Sequence, residues 1–265
     1  MIKAGEIGVH EMLHQSRSED TKYMKQQLAN VRLNLLPDSE KIIGRQISGR
    51  VVDYGCGSGY LSVWLAQNRQ IDFAVAVEIT QNAVEKLIPN MIEMSGVDAD
   101  KVRPSLGDFS KQFETAPFDY AFCMGSLHHA LNLRAALDGI FENLKPGGVL
   151  ISQEPVSDDL VDNSVFQKKY SATEEIPGYG EIRNDERSDC FYRRCEYLTA
   201  LHHSGFSIQT FEKIDWTKYE KPKKKRKFQW LFPATDTSVD TKKPAPHLII
   251  AQKPLNPQSP PHRWT

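Results

Sequence analysis

Asp53-Tyr54-Gly55-Cys56-Gly57-Ser58-Gly59 stands between an apolar run and a helical pattern. Glycines in that position let a ligand approach the backbone closely, and the helix start behind them presents unpaired N–H groups. The spacing does not fit a dinucleotide fingerprint, which needs Gly or Ala where Tyr60 stands and a third glycine one residue later than Gly59. No G-x-x-x-x-G-K-[ST] occurs either, so a P-loop is excluded. Two carboxylates follow at informative distances. Glu78 comes about 20 residues on, where a carboxylate accepts both hydroxyls of a ribose. Asp108, in Gly107-Asp108-Phe109, is placed to meet the exocyclic amine of an adenine.

These residues need a scaffold that brings loop ends together. From Arg50 onward, short apolar runs alternate with helical stretches. The pattern predicts strands at 51–54, 73–77, 102–106, 118–124 and 148–152, and helices at 60–67, 81–94 and 133–144. Continuous apolar strands alternating with helices imply a doubly wound α/β domain, its mostly parallel sheet covered on both faces. A helix near 193–203 and strands at 206–214 and 247–252 then give the sheet an antiparallel edge. Ahead of the domain, residues 1–45 carry apolar positions at helical spacing and predict one or two helices forming a lid, with His14 and Tyr23 closing over the ligand. The domain itself is read as 46–254, with an insertion at about 155–190 and a proline-rich flexible tail at 255–265.

The set Val51 to Gly59, Val77-Glu78, Gly107-Asp108, Phe118-Asp119-Tyr120 and Leu144-Lys145-Pro146-Gly147-Gly148 resembles a class I S-adenosylmethionine-dependent methyltransferase of the small-molecule type. The resemblance implies a Rossmann-like sheet of seven strands in the order 3-2-1-4-5-7-6, strand 7 antiparallel. It also implies S-adenosyl-L-methionine as cofactor. Asp53, Tyr54, Gly55, Cys56, Gly57 and Gly59 would line its methionine half, Glu78 its ribose with Ile79 beside it, and Asp108 and Phe109 its adenine, with Met124 closing the site. Physically the assignment is consistent: acidic strand ends suit the sulfonium and ammonium, and free N–H groups suit the carboxylate. No phosphate needs a lysine, and the loop has none.

In this fold the residues after strand 4, here Cys123 to His129, face the transferring methyl group. They contain no (Asp/Asn)-Pro-Pro-(Tyr/Phe), which would hold a planar amino group, and no Pro-Cys pair for attack on cytosine. His129, and after it His128, is the candidate general base for an acceptor hydroxyl, alternatively a packing or capping residue. Glu154 is read as a substrate contact or auxiliary base, alternatively a solvated turn residue. Tyr179, Arg183, Arg187 and Tyr192 in the insertion, with Tyr23 of the lid, suit a polar and even anionic acceptor. Asp158, Asp159 and Asp162 imitate a metal cluster, but acids at a helix start follow from the macrodipole alone, and no metal is expected. Cys190 and Cys195 lack companion ligands and read as ordinary thiols.

Composition sets the outer limits. The 265 residues are 40% hydrophobic and 25% charged, which excludes a mainly disordered chain, and no apolar run reaches membrane-spanning length. Four scattered cysteines and an N-terminus without an apolar leader predict a cytoplasmic enzyme. Net charge is −1, so nucleic acid is an unexpected partner. The mean hides an asymmetry: residues 205–265 carry 12 basic and 5 acidic side chains, net +7, leaving 1–204 at −8. Much of that excess is Lys221-Pro222-Lys223-Lys224-Lys225-Arg226-Lys227, which resembles a nuclear localisation signal yet lies between the last two strands. A solvated connection is the preferred reading. The expected activity is methyl transfer to a small polar metabolite, at oxygen rather than nitrogen. An RNA or protein methyltransferase and a catalytically silent interaction module are the alternatives.

Overall fold

The computed structural model describes residues 4–159, 173–176, 180–183, 190–219 and 244–256. Its centre is a seven-stranded sheet built from β1 (Ser48–Tyr54), β2 (Gln70–Glu78), β3 (Val102–Leu106), β4 (Phe118–Met124), β5 (Leu144–Val156), β8 (Ser207–Lys213) and β9 (Ala245–Gln252). The order is β3-β2-β1-β4-β5-β9-β8, with β6 (Thr173–Ile176) and β7 (Gly180–Arg183) forming a separate hairpin. β1 to β5 pair in parallel, and β9 runs antiparallel to both β5 and β8. Discounting the hairpin, this is the expected topology. The antiparallel strand sits one place in from the edge, which β8 forms.

Alternation along the strands builds a core on each face. Val51, Tyr120, Phe122, Val149 and Ile151 point into one core, and Val52, Tyr54, Ala121, Cys123 and Leu150 into the other. The first is covered by helices α2 (Thr21–Leu28), α3 (Leu35–Ile43), α4 (Tyr60–Asn68) and α5 (Ile88–Ser95), the second by α6 (Leu133–Asn143) and α7 (Arg194–His203). With α1 (Ala4–Arg17), the segment ahead of β1 holds three helices rather than one or two. α3 is not peripheral: Leu35 and Leu36 are fully buried against the sheet.

Two other elements depart from expectation. The helix at 81–94 is not uniform, because residues 83–87 form a π turn in which the Ile88 N–H reaches the Ala83 carbonyl. Pro89 explains this: it lacks an N–H and its ring would strike the carbonyl four residues back, so the helix widens just before it. β5 extends well beyond 148–152, since both its neighbours continue to offer partners, β9 as far as the pair Val156–Ala245. Among the described residues no helix is long and apolar enough to cross a membrane.

Candidate active site

The strand order reverses between β1 and β4, and ligands of open α/β sheets bind in the crevice at such a switch point. Here β1, β2, β3 and β4 end in the glycine loop, Glu78, Gly107-Asp108 and Gly125-Ser126, all at one edge of the sheet. Together with α1 they line a half-open cleft, the setting usual for small-molecule sites. Gly55, Gly57, Glu78, Ile79, Asp108 and Phe109 line it, as do His129, His14 and Tyr23. Gly107, Gly125 and Ser126, from motifs read as facing the ligand, share the wall, and so do His10 and Arg17, which sequence reasoning did not anticipate. His10 and Arg17 had no legible signal, because only the docking of α1 carries them there.

The glycine loop is shaped by its neighbours. Gly55, Gly57 and Gly59 all have positive φ, at 64°, 56° and 73°. A Cβ on Gly55 would lie 2.5 Å from the Ser126 Cβ, so the loops after β1 and β4 can meet only at a glycine. A Cβ on Gly57 would meet nothing within 4 Å, which leaves open space above its backbone. Glu78 ties the loops together: its Oε2 accepts from the Gly57 N–H at 2.9 Å and its Oε1 from the Ile79 N–H at 2.8 Å. Burial raises the Glu78 pKa, while those amides and a nearby His129 oppose the shift. Each oxygen retains acceptor capacity for a further hydroxyl.

At the next strand end, Asp108 Oδ1 accepts from the Ser110 N–H and hydroxyl at 2.9 and 2.6 Å. Burial pushes the Asp108 pKa up, but these donors outweigh it and hold the carboxyl below its ordinary value. Phe109 packs beneath, its ring 5.9 Å from that of Tyr54.

A third set of polar groups lies beside the loop. Arg32 donates from Nη1 to the Met124 carbonyl at 2.9 Å, with its guanidinium over Gly125. The Arg32 charge also bears on Tyr60, whose hydroxyl burial pushes up to about 12. The Tyr60 hydroxyl and the Ser58 Oγ are buried without a hydrogen-bond partner. Orphaned groups of this kind are costly unless a ligand satisfies them. An arginine, two unsatisfied hydroxyls and open space over Gly57 fit the amino-acid end of S-adenosylmethionine. Glu78 and the Asp108–Phe109 pair fit its ribose and adenine.

Not every expected residue reaches the cleft. Tyr54 is fully buried and its hydroxyl accepts from the Asn143 amide at 3.0 Å, so the side chain belongs to the core and only its backbone borders the loop. Asp53 is sealed beneath, accepting from the Ser62 hydroxyl at 3.0 Å. Burial, reinforced by Glu78, lifts its pKa to about 7 against the Ser62 bond. The Cys56 thiol and the Met124 side chain are buried, and Gly59 caps α4 rather than lining the cleft.

Around the acceptor position, Glu154 is neither a solvated turn residue nor within reach of a substrate: it is 0% exposed and enclosed by the turn at 126–128. Burial wins there because that turn supplies the donors a carboxylate requires. His128 is buried against Glu154, whereas His129 lines the cleft with its ring 5.3 Å from His10. Tyr192 donates to the Ala130 carbonyl at 2.5 Å and packs on the core, so its hydroxyl is spent on the fold. Tyr179, Arg187, Asp162 and the side chain of Arg183 lie outside the described residues. Asp159 accepts from the Cys195 N–H at 2.7 Å, and no group of three or more His, Cys, Asp or Glu among the described residues is arranged to hold a metal.

Known proteins match this geometry. A family model described as a methyltransferase domain covers residues 21–210. The sterol 24-C-methyltransferase of Schizosaccharomyces pombe is 29% identical over 73% of this chain, which spans 47% of that enzyme's length. The ubiquinone biosynthesis O-methyltransferase of Xylella fastidiosa is 32% identical over 72% of this chain and 71% of its own. Among solved structures, a Haemonchus contortus phosphoethanolamine N-methyltransferase bound to S-adenosylhomocysteine superposes with a TM-score of 0.59 at 16% identity, over 83% of this chain and 52% of that one. The chain belongs to the methyltransferase-domain family and has the class I S-adenosylmethionine-dependent methyltransferase fold.

Proposed function

We propose that the enzyme methylates a hydroxyl oxygen of a small polar metabolite. The observation that carries this reading is the His128–His129 pair at the end of β4, with His129 in the wall of the cofactor cleft. An oxygen acceptor must lose its proton as the new bond forms, and an imidazole titrates in the range where it can take one. The turn offers no side-chain carboxamide or Pro-Pro carbonyl for orienting an amine. The likeness to a ubiquinone biosynthesis O-methyltransferase supports the same choice.

When bound, the cofactor supplies a methyl group already activated on a sulfonium. The chain's own work is alignment, exclusion of water and removal of a proton. Glu78 would hold the ribose, Asp108 and Phe109 the adenine, and Arg32 with the Ser58 and Tyr60 hydroxyls the amino-acid end. Asp53, buried under the loop, braces it by accepting from the Ser62 hydroxyl at 3.0 Å. His10, His14 and Arg17 of α1 close the cleft from above. The imidazoles of His10, His14 and His129 in the cleft wall suit a hydroxyl of lowered pKa, such as a phenol.

The test is incubation with methyl-labelled cofactor and a panel comprising a catechol, a hydroquinone, a hydroxylated amino acid, a primary amine, total RNA and denatured protein. Label is expected on a hydroxyl compound, with stoichiometric S-adenosylhomocysteine. Label on the amine, RNA or protein alone would overturn oxygen transfer to a metabolite. Failure of S-adenosylhomocysteine to bind in calorimetry would remove the catalytic reading and leave an interaction module.

A further inference from the structure

Glu154 is a complete carboxylate site with no ligand in it but the enzyme itself. Its Oε1 accepts from the N–H groups of Ser126 and Leu127 at 3.0 and 2.9 Å and from the Ser152 hydroxyl at 3.2 Å. Its Oε2 accepts from the His128 N–H at 3.3 Å and meets the His128 Nδ1 at 2.7 Å. Three successive backbone N–H groups converging on one acid form an anion nest, so turn and carboxylate fix each other. With both oxygens turned to backbone donors, the Glu154 carboxylate serves as the acceptor in this cluster. The Nδ1 facing it therefore carries a hydrogen.

The ring is held from its face as well. Phe191 lies parallel to it, 6° between planes and 5.9 Å between centroids. Phe191 has a φ of 37°, the one positive value at a non-glycine among the described residues. Such a conformation persists only where its surroundings over-determine it. They do so here: the Cys190 N–H donates to the His128 carbonyl at 2.7 Å, the Ser157 Oγ to the Phe191 carbonyl at 2.8 Å and the Ser157 N–H to the Tyr192 carbonyl at 3.0 Å. His129 touches the third side, with centroids 4.1 Å apart. The other ionisable groups around the acid, Cys123 on β4 and Tyr197 on α7, are kept neutral by burial, an effect that the Glu154 charge reinforces.

We infer that Glu154 is a positioning residue that holds His128 in the Nδ1–H tautomer, with Phe191 fixing the ring plane, so that Nε2 is the acceptor nitrogen of that ring. This rests on the proposed methyl transfer to oxygen and sharpens it. His129 faces the cofactor cleft beside Glu78 and His10, whereas His128 faces the segment that leads out of the insertion. The Glu154 carboxylate meets the His128 Nδ1 at 2.7 Å. An acid accepting from one imidazole nitrogen while the other takes a proton is the division of labour that makes histidine an effective base.

Nitrogen-15 NMR of histidine-labelled protein reads the tautomer directly, with the His128 signals assigned by their loss in His128→Gln. In the wild type at pH 7.5, ligand-free and with S-adenosylhomocysteine, His128 is expected as the Nδ1–H form in more than about nine molecules in ten. Glu154→Gln replaces a pure acceptor by a group that also donates, and should convert this to a mixture or to the Nε2–H form. A role confined to anchoring the turn would leave the tautomer unchanged in that variant, and that result would overturn the inference. So would an Nε2–H or doubly protonated ring in the wild type, a measurement that stands even if Glu154→Gln fails to fold. Calorimetry with S-adenosylhomocysteine separates the two claims. Loss of binding in the wild type sinks methyl transfer, whereas binding with the wrong tautomer sinks the positioning role alone.

Discussion

The proposed roles place Glu78 and Arg32 at opposite ends of the cofactor, and two small molecules test them separately. Glu78→Ala removes a charged acceptor for two ribose hydroxyls. It should weaken S-adenosylhomocysteine on the order of 3 kcal/mol, more than about a hundredfold. It should weaken 5′-methylthioadenosine, which keeps the ribose, by a similar factor. Arg32→Ala removes a guanidinium positioned by the Met124 carbonyl at 2.9 Å and by Gly125. Losing a charged pair with the ligand carboxylate should cost about 1.5–3 kcal/mol, roughly ten- to a hundredfold, for S-adenosylhomocysteine. 5′-Methylthioadenosine, lacking that carboxylate, should bind the variant almost as well as wild type. Equal losses for both ligands in Arg32→Ala would show that the residue supports the loop rather than the ligand. Glu78 was legible from its spacing after the glycine loop. Arg32 was not, because nothing in a helical segment 20-odd residues upstream signals that a turn will carry it onto the end of β4.

Among the helices, α1 closes the cleft through two polar latches. The His14 Nδ1 lies 2.6 Å from the Thr80 hydroxyl, and the Glu11 carboxylate accepts from the Asn82 N–H and amide at 3.0 and 2.7 Å. Burial first, then the charges of His10 and Arg17, lower the His14 pKa from 6.5 to about 3. The sign follows from linkage. An opened α1 lets His14 take up a proton near pH 6.5, whereas the closed form excludes it, so His14's contribution to closure is intact above pH 6.5 and is lost as pH falls toward 3. Between pH 7.5 and 5 the opened state should gain about 2 kcal/mol, roughly thirtyfold in population. Hydrogen exchange of the α1 amides should speed up accordingly, beyond the intrinsic pH dependence, and His14→Asn should abolish the extra acceleration. A second contact fixes the adenine side. α6 passes so close to the loop after β3 that a Cβ on Gly139 would lie 2.4 Å from the Phe109 carbonyl oxygen. Gly139→Ala should therefore destabilise the protein by about 1–3 kcal/mol in denaturant unfolding, less the modest gain in helix propensity. It should also weaken S-adenosylhomocysteine several-fold by displacing Phe109. An unchanged midpoint and affinity would mean the loop yields without cost.

For the molecule as a whole, the charge asymmetry remains to be assigned. The run Lys221 to Lys227 lies outside the described residues, between β8 and β9. Fold topology asks only that this connection be solvated, and clustered like charges meet that need. Replacing its six cationic residues by Ser should leave S-adenosylhomocysteine affinity and acceptor kinetics within about twofold from low to high salt. A kcat/KM that falls at low salt and converges with wild type at high salt would instead assign the run to steering an anionic acceptor. Loss of a steep salt-dependent RNA affinity would assign it to nucleic acid.

The amino-acid order was enough to determine the sheet and the cofactor-facing loops. Apolar runs of strand length carry their own periodicity, and Gly55, Gly57 and Gly59 are required where a backbone must turn with positive φ beneath a ligand. Glu78 and Asp108 end adjacent parallel strands, so topology alone brings them to one edge. What the sequence could not decide was which side of a residue faces what. Tyr54 reads as a site residue from its place in the glycine loop and Tyr192 from the rings and guanidinium groups of the insertion, yet each spends its hydroxyl on a partner from a distant element, Asn143 and the Ala130 carbonyl. Glu154 reads as a substrate contact or auxiliary base, alternatively a solvated turn residue, because it stands at the carboxyl edge of the sheet. Only the folding of 126–128 back over β5 supplies the amides that let it be buried. His10 and Arg17 enter the cleft wall, and Arg32 reaches the Met124 carbonyl beside it, through helix docking, a consequence of long-range packing that no local pattern encodes. Local spacing specifies what one segment can offer a ligand; which segments meet, and which polar atoms they use up on each other, is decided only when the chain closes.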